Sequence, residues 1–203
     1  LIFGGGAAPT HTIPNVNNGT YGNASSWIGD SANSYIGVAF GAVQSIASFA
    51  FGRDNTGTFG DRAAGLYTVE YTNDADPFTN HASALWSNLG TVTLADGQGI
   101  LSALRHRFNV TTPVSATGIR LITPGSGAAG GAAVDEFEIY STPGALVPLP
   151  AGIITTGAPG YSIAWDGNDG DNFSAAAIAP DNLARPGNGG TAIGSGSLGP
   201  QIG

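Results

Sequence analysis

The chain has 203 residues and a formal net charge of −8, with 10% charged and 41% hydrophobic residues. The acidic balance opposes a polyphosphate backbone, so nucleic acid is excluded as the expected partner, and the hydrophobic content is too high for a disordered chain. The absence of Cys excludes disulfides, thiolate metal sites and cysteine nucleophiles. No run of about 18 apolar residues predicts a membrane span.

The predicted regular elements are β-strands. Residues 34–51 predict two short strands around Gly41-Ala42, because β-formers are interrupted there by glycine. Further strands are expected at 66–72, 89–94, 104–110, 117–123 and 134–141. Since no segment carries a capped helical period, and residues 80–88 predict at most one helical turn around Trp86, the pattern indicates an all-β sandwich or barrel.

From Ser141 onward the sequence becomes a tail rich in Gly, Pro, Ala and Asn, with strands expected only at 153–154 and 161–165. Such a tail cannot offset roughly 1 to 2 kcal/mol of backbone entropy per residue alone, so it must lie on the rest of the chain or on another copy. The predicted organisation is a linker at 1–10, a β-sandwich at 11–141, a linker with short strands at 142–180 and a donated strand segment at 181–203. Because the chain opens without Met, we expect a processed or excised piece.

Residues 11–141 match a known domain type along almost their whole length. The matching segments follow one another in the family order, at 13–29, 34–41, 51–56, 65–69, 105–108, 116–122 and 134–140. They resemble bacterial discoidin domains, the coagulation-factor C-type branch of the galactose-binding-like fold. The resemblance implies an antiparallel jelly-roll β-sandwich of about eight strands that binds glycans, lipids or proteins, without catalysis.

The tail carries two further resemblances. Val147-Pro148-Leu149-Pro150 is similar to the sorting motif of PEP-CTERM exported proteins, which implies an extracellular or cell-surface bacterial location. Asn182-Leu183-Ala184 and Thr191-Ala192-Ile193 look like segments that precede a discoidin core, yet here they follow it. This permuted order predicts that they complete a neighbouring copy or the next period of a longer chain, which makes these six residues the expected subunit interface.

The resemblance also implies a structural Ca²⁺ near Asn18 and Thr20, with Glu136 as the carboxylate ligand. The alternative is a tight Asn-Gly turn without metal. A second candidate loop places oxygen side chains at Asp166, Asn168 and Asp171, as Ca²⁺ loops require, and the alternative there is a solvated turn.

Arg53, Asp54 and Arg62 are the candidate ligand-binding residues, since they border a polar loop that could clamp a sugar. The alternative is that they form internal ion pairs with Asp61 that anchor the sandwich, which is the more common arrangement for two Arg and two Asp in a short polar loop. The three histidines are scattered along the chain and no serine nucleophile motif stands between a strand and a helix, so no enzyme is expected.

The predicted core contains one tryptophan and seven other large apolar residues, Trp27, Phe40, Phe49, Phe51, Tyr67, Phe108, Ile119 and Ile139. Trp86 and Trp165 are also expected to pack inside, which leaves no obvious aromatic glycan platform.

Two functions fit these observations. The first is a structural subunit of an extracellular bacterial filament or surface assembly, built as a head-to-tail polymer by strand exchange or tandem repetition. The second is a secreted carbohydrate-binding module. The permuted tail favours the first and the family resemblance favours the second.

Overall fold

A computed structural model describes residues 11–53, 59–95, 105–125, 131–144, 152–165 and 180–195. These residues form ten strands and one short helix. The strands are β1 (Trp27–Ile28), β2 (Tyr35–Gly52), β3 (Gly65–Thr72), β4 (Ser87–Leu94), β5 (His106–Ile122), β6 (Ala133–Val134), β7 (Glu136–Tyr140), β8 (Ile153–Gly157), β9 (Ile163–Trp165) and β10 (Gly190–Gly194). The helix α1 spans Pro77–Asn80, and short 3-10 turns lie at Ile13–Asn17, Asn23–Ser25 and Pro186–Asn188.

Two long antiparallel strands, β2 and β5, run through both layers of a sandwich. The first half of β2 lies between β10 and the second half of β5, and this layer continues through β3, β4 and β8. The second half of β2 lies between β7 and the first half of β5, which is flanked in turn by β9. Register shifts between Ala39 and Gln44 and between Ile46 and Ser48 mark where β2 passes from one layer to the other. The predicted all-β antiparallel sandwich is confirmed.

The core lies between these layers and contains all eight side chains predicted for it, each at most 6% exposed. Phe51 of one layer packs on Tyr67 of the other, with ring centroids 4.9 Å apart. Phe49 and Phe108 pair within one layer at 5.6 Å. Apolar residues alternate along the strands because successive side chains point to opposite faces.

Several expected boundaries differ from the structure. Residues 34–51 form one strand and not two, because a bulge around Gly41 bends the strand without ending it. The separate strands expected at 104–110 and 117–123 are likewise one strand, β5. Trp86 is only half-buried and lies outside the core, so the core prediction for it is wrong. The side chain of Trp165, which was also predicted to pack inside, lies outside the part of the chain that the structure describes.

The tail segment predicted to complete a neighbouring copy lies on its own chain. Strand β10 pairs with β2 in antiparallel register, with Thr191 opposite Ala39 and Ile193 opposite Gly37. Within this chain β10 itself covers the edge of β2 that a donated strand was predicted to fill, and exchange of the strand between copies stays a prediction. The remaining predicted interface residue in this strand, Ala192, packs against the chain's own core.

The segment before β10 is fixed to the core by Asn182. Its side-chain Oδ1 accepts hydrogen bonds from the Ile139 amide at 3.0 Å and the Ala184 amide at 3.1 Å. The Leu183 amide donates to the Ile139 carbonyl at 2.7 Å. Asn182, Leu183 and Ala184 therefore join β7 of their own sandwich.

No helix in the described ranges is long and apolar enough to cross a membrane.

Candidate functional site

The arginine loop predicted to clamp a ligand forms ion pairs within the protein. Arg53 is 3% exposed, and its guanidinium lies 3.4 Å from Asp135 Oδ1 and 3.5 Å from Asp61 Oδ1. Arg62 Nε lies 3.2 Å from Asp61 Oδ2. These contacts agree with the ion-pair alternative. Asp54 lies outside the described residues.

The predicted metal turn brings Asn18, Thr20 and Glu136 together. Glu136 is buried, and its Oε1 accepts hydrogen bonds from the Gly19 amide at 2.6 Å and the Thr20 amide at 3.0 Å. The Thr20 amide also donates to Asn18 Oδ1 at 2.7 Å. Gly19 has φ +82°, a left-handed conformation that suits glycine at this tight turn.

The second carboxylate oxygen of Glu136 has no hydrogen-bond partner within the described ranges. Burial raises the pKa of Glu136 well above its usual value, although the Thr20 amide works in the opposite direction. An unpaired buried carboxylate oxygen is a hard ligand of the kind Ca²⁺ prefers, so the chemistry of this residue fits one ligand of a calcium ion.

No group of three His, Asp or Glu side chains within the described ranges could hold a metal. The other predicted calcium residues, Asp166, Asn168 and Asp171, lie outside those ranges.

A cleft of about 520 Å³ lies on the outer face of the sheet, between α1 and β10. Its wall on one side is β10, and on the other side are Phe78 and Thr79 of α1 with His81 just beyond. Ile13 and Pro14 close one end. Helix α1 can lie flat on this face because β5 has no side chain at Gly118, where an added Cβ would be 3.1 Å from Pro77 Cβ.

Helix α1 begins at an Asp76-Pro77 junction. The Asp76 carboxylate accepts a hydrogen bond from the Thr79 amide at 3.1 Å, which caps the first turn, and proline suits the first helical position. The turn leaves the Phe78 ring 38% exposed at the cleft. Phe78 therefore presents an apolar surface at the edge of the cleft.

His81 enters the cleft wall with its ring oriented by Tyr35. The Tyr35 hydroxyl lies 2.8 Å from His81 Nδ1, and the two rings meet edge-on with centroids 5.9 Å apart. Burial lowers the pKa of His81, and the charge of Arg120 adds to this, so the imidazole is neutral at neutral pH. When Tyr35 donates to Nδ1, the imidazole proton sits on Nε2, which has no hydrogen-bond partner in the described parts of the chain.

The support beneath His81 is an arginine stacked between aromatic rings. The Arg120 guanidinium lies 4.3 Å from the Trp86 ring centroid and 5.0 Å from that of Tyr35. Its Nε donates to Glu70 Oε2 at 2.7 Å. Trp86 Nε1 donates to the His81 carbonyl at 3.1 Å. This arrangement explains why Trp86 lies outside the core: it holds the loop that carries His81.

Sequence reasoning missed this cleft because its walls come from residues near positions 13, 78 and 191, which only the fold brings together. The one local sequence feature that could have indicated the cleft is the Asp76-Pro77 turn, which is followed by the aromatic residue Phe78.

Comparison with known proteins finds no matching family model and no matching curated protein. Solved structures with a similar fold include the CBM32 of AlyQ in complex with 4,5-unsaturated mannuronic acid, at 17% identity over 64% of this chain and 86% of that chain, with a TM-score of 0.47. Chitosan-binding module 2 of a chitosanase/glucanase from Paenibacillus sp. IK-5, in complex with chitotriose, aligns at 18% identity over 66% and 88%, with a TM-score of 0.48.

A pectin-binding carbohydrate-binding module aligns at 21% identity over 69% of this chain and 84% of that chain, with a TM-score of 0.46. At these values the alignments assign no role to any residue of this chain.

Proposed function

We propose that this sandwich is a carbohydrate-binding module without catalytic activity, and that sugar binds in the cleft between α1 and β10. The observation that carries the proposal is the exposed Phe78 ring at the edge of a cleft that also presents polar side chains. A volume of about 520 Å³ lies within the range of small-ligand sites, about 300 to 1,000 Å³.

A sugar ring needs an apolar surface for its C–H face and hydrogen-bond partners for its hydroxyls. Phe78 supplies the flat apolar surface, and Thr79, His81 and Thr191 supply hydroxyl and imidazole groups around it. Among the described residues, no Lys, Arg, Asp or Glu lines this cleft, so it suits a ligand whose contacts are stacking and neutral hydrogen bonds.

A structural calcium at the Glu136 turn is part of the proposal. Glu136 would supply its second carboxylate oxygen as a ligand, beside the Asn18 to Thr20 turn whose Gly19 and Thr20 amides hold the first oxygen, so the ion would fix this loop of the sandwich. The ion would offset the cost of a buried, half-satisfied carboxylate.

The filament interpretation has lost the feature that favoured it, because β10 lies on its own chain. The extracellular bacterial location stays a prediction, as does the PEP-CTERM resemblance, whose motif lies outside the described residues.

The proposal is tested by screening the protein on an array of neutral, amino and acidic oligosaccharides and measuring each hit by calorimetry. We expect binding that is lost in Phe78→Ala and kept in Leu85→Ala. Leu85 is a matched control because it is an apolar side chain in the loop after α1, 92% exposed, that does not line the cleft. Absence of binding to every class, or equal binding by both variants, would overturn the proposal.

A further inference from the structure

A second depression of about 450 Å³ adjoins the first cleft on the outer face. Both depressions are lined by Phe78 and Thr191, so these two side chains stand between them as a shared ridge. The second depression is completed by Asp76, Gly189 and the β2 bulge at Gly41. Together the two depressions form one groove, here called the α1–β10 groove.

The groove follows the direction of β10. The first cleft extends along Gly190–Gly194, and the second begins at Thr191 and continues to Gly189 and across to β2. Five strand residues at about 3.3 Å each cover roughly 15 Å. A groove of this length, with Phe78 where the two depressions meet, suits a chain of several sugars rather than one terminal sugar.

The charge of the groove is confined to one end. Among the lining residues that the structure describes, Asp76 alone carries a formal charge at neutral pH, because the His81 imidazole is neutral there. Hydrogen bonds from the side chain and backbone of Thr79 lower the pKa of the exposed Asp76 carboxylate, so it stays ionised in mildly acidic solution.

The negative charge of Asp76 selects against acidic polysaccharides. A uronic acid beside Asp76 would meet a like charge, with no Lys or Arg among the described residues of the groove, on a protein whose net charge is −8. A protonated amine on a sugar would instead meet an opposite charge. Complementarity therefore favours an amino sugar at this end of the groove.

Resting on the proposed carbohydrate-binding function, we propose that the α1–β10 groove binds an internal run of a linear amino-sugar chain. One sugar places its ammonium group beside Asp76, and a neighbouring ring stacks on Phe78 in the adjoining cleft. Asp76 is then a specificity-determining residue, in addition to its role as the cap of α1.

The test compares three probes by calorimetry at mildly acidic pH and low salt: the glucosamine hexamer, the N-acetylglucosamine hexamer and the glucosamine monomer. We expect the amine-bearing hexamer to bind most tightly and the monomer most weakly. Asp76→Asn should weaken the glucosamine hexamer about two- to fivefold, as for other exposed charge pairs, and leave the acetylated hexamer unchanged. Added salt should reduce the difference between the wild type and Asp76→Asn in affinity for the glucosamine hexamer.

The substitution isolates the charge because Asn caps a helix about as well as Asp. Asp30→Asn is the matched control: it removes the same charge from an exposed loop and keeps an oxygen acceptor for the Ser34 hydroxyl. Asp30→Asn should leave the affinities for the glucosamine hexamer and the N-acetylglucosamine hexamer unchanged.

Equal affinity of both hexamers, or an amine preference that persists in Asp76→Asn, would overturn the amino-sugar assignment while leaving the carbohydrate-binding function intact. If the glucosamine monomer and hexamer bind with the same affinity per sugar, the proposal that an extended groove binds several sugars is overturned. Failure of the protein to bind these probes and every glycan of the array would overturn the proposed function itself.

Discussion

Arg105 and Glu138 form an ion pair inside the sandwich, with Arg105 Nε donating to Glu138 Oε1 at 2.9 Å and both side chains almost fully buried. Tyr21 donates its hydroxyl to the same oxygen at 2.7 Å. Burial and the charge of Glu138 raise the pKa of Tyr21 well above its usual value, so this hydroxyl remains protonated and keeps donating. The carboxylate is thus fully enclosed by donors.

The enclosed pair predicts a large cost for losing one partner. Arg105→Met should lower the free energy of unfolding by about 3 to 5 kcal/mol, because it leaves a buried uncompensated carboxylate. The double variant Arg105→Met/Glu138→Leu should cost less than the sum of the single changes, and urea unfolding of all four proteins gives the coupling. Additive costs would contradict the pairing.

Substitution of Phe108 measures how much the aromatic core contributes to the free energy of unfolding. Its ring is fully buried between Phe49 and Phe51, so Phe108→Ala should cost about 3 to 5 kcal/mol by leaving a cavity. Thermal and urea unfolding measure the loss. The exposed control Leu85→Ala should stay within about 0.5 kcal/mol. A cost below about 1 kcal/mol for Phe108→Ala would mean that the layers are not packed as described.

The environment of His81 predicts that the stability of the fold decreases as the pH falls. Because burial and Arg120 lower its pKa in the folded protein, the unfolded chain binds the proton first as pH falls below about 6.5. The stability associated with neutral His81 is therefore complete above that pH and is lost as the pH falls towards the folded pKa.

The measurement is the free energy of unfolding from pH 8 to pH 5 for the wild type and His81→Gln. Subtracting the two curves removes the contribution of Glu136, whose raised pKa acts in the opposite direction. A difference curve that is flat, or that rises on acidification, would refute the assignment, and an imidazole titration by NMR should give a midpoint below 6.5.

Glu136 predicts a calcium effect on stability. A cation that binds only the folded state must stabilise it, so added Ca²⁺ should raise the Tm and a chelator should lower it. In Glu136→Gln this difference should vanish, since the amide cannot replace the carboxylate as a charged ligand. If Ca²⁺ and chelator give the same Tm in the wild type, Glu136 instead resembles a protonated acid, and Glu136→Gln should then be nearly neutral.

The position of β10 predicts a monomer. Since β10 covers the edge of β2 on its own chain, light scattering after gel filtration should give a mass near 20.2 kDa across a wide range of concentrations. Strand exchange between copies would instead give larger species that persist on dilution, and their appearance would restore the filament interpretation.

The fold was predictable from sequence to the extent that alternation marks a buried face. Phe49, Phe51 and Tyr67 are found where strand periodicity places them, because one face of each strand is apolar. The continuity of β2 through Gly41 was not predictable, since a glycine that ends a strand and one that bends it have the same local sequence signal.

The candidate site was harder to predict for a different reason. Trp86 has the composition of a core residue, and only the position of Arg120 on the outer face of β5 shows that it stacks there. Similarly, nothing in the segment around Thr191 tells whether it pairs with its own chain or another, because the backbone hydrogen bonds are the same in either case.

The pairing of β10 with β2 also sets an order of events during synthesis. Residues 36–40 of β2 leave the ribosome well before their partners at 190–194. Until then this stretch of β2 has an open edge on the β10 side, and contacts so distant in sequence form slowly. The nascent chain therefore exposes this strand edge to mispairing until residues 190–194 have followed, and this interval is where protection of the edge matters most.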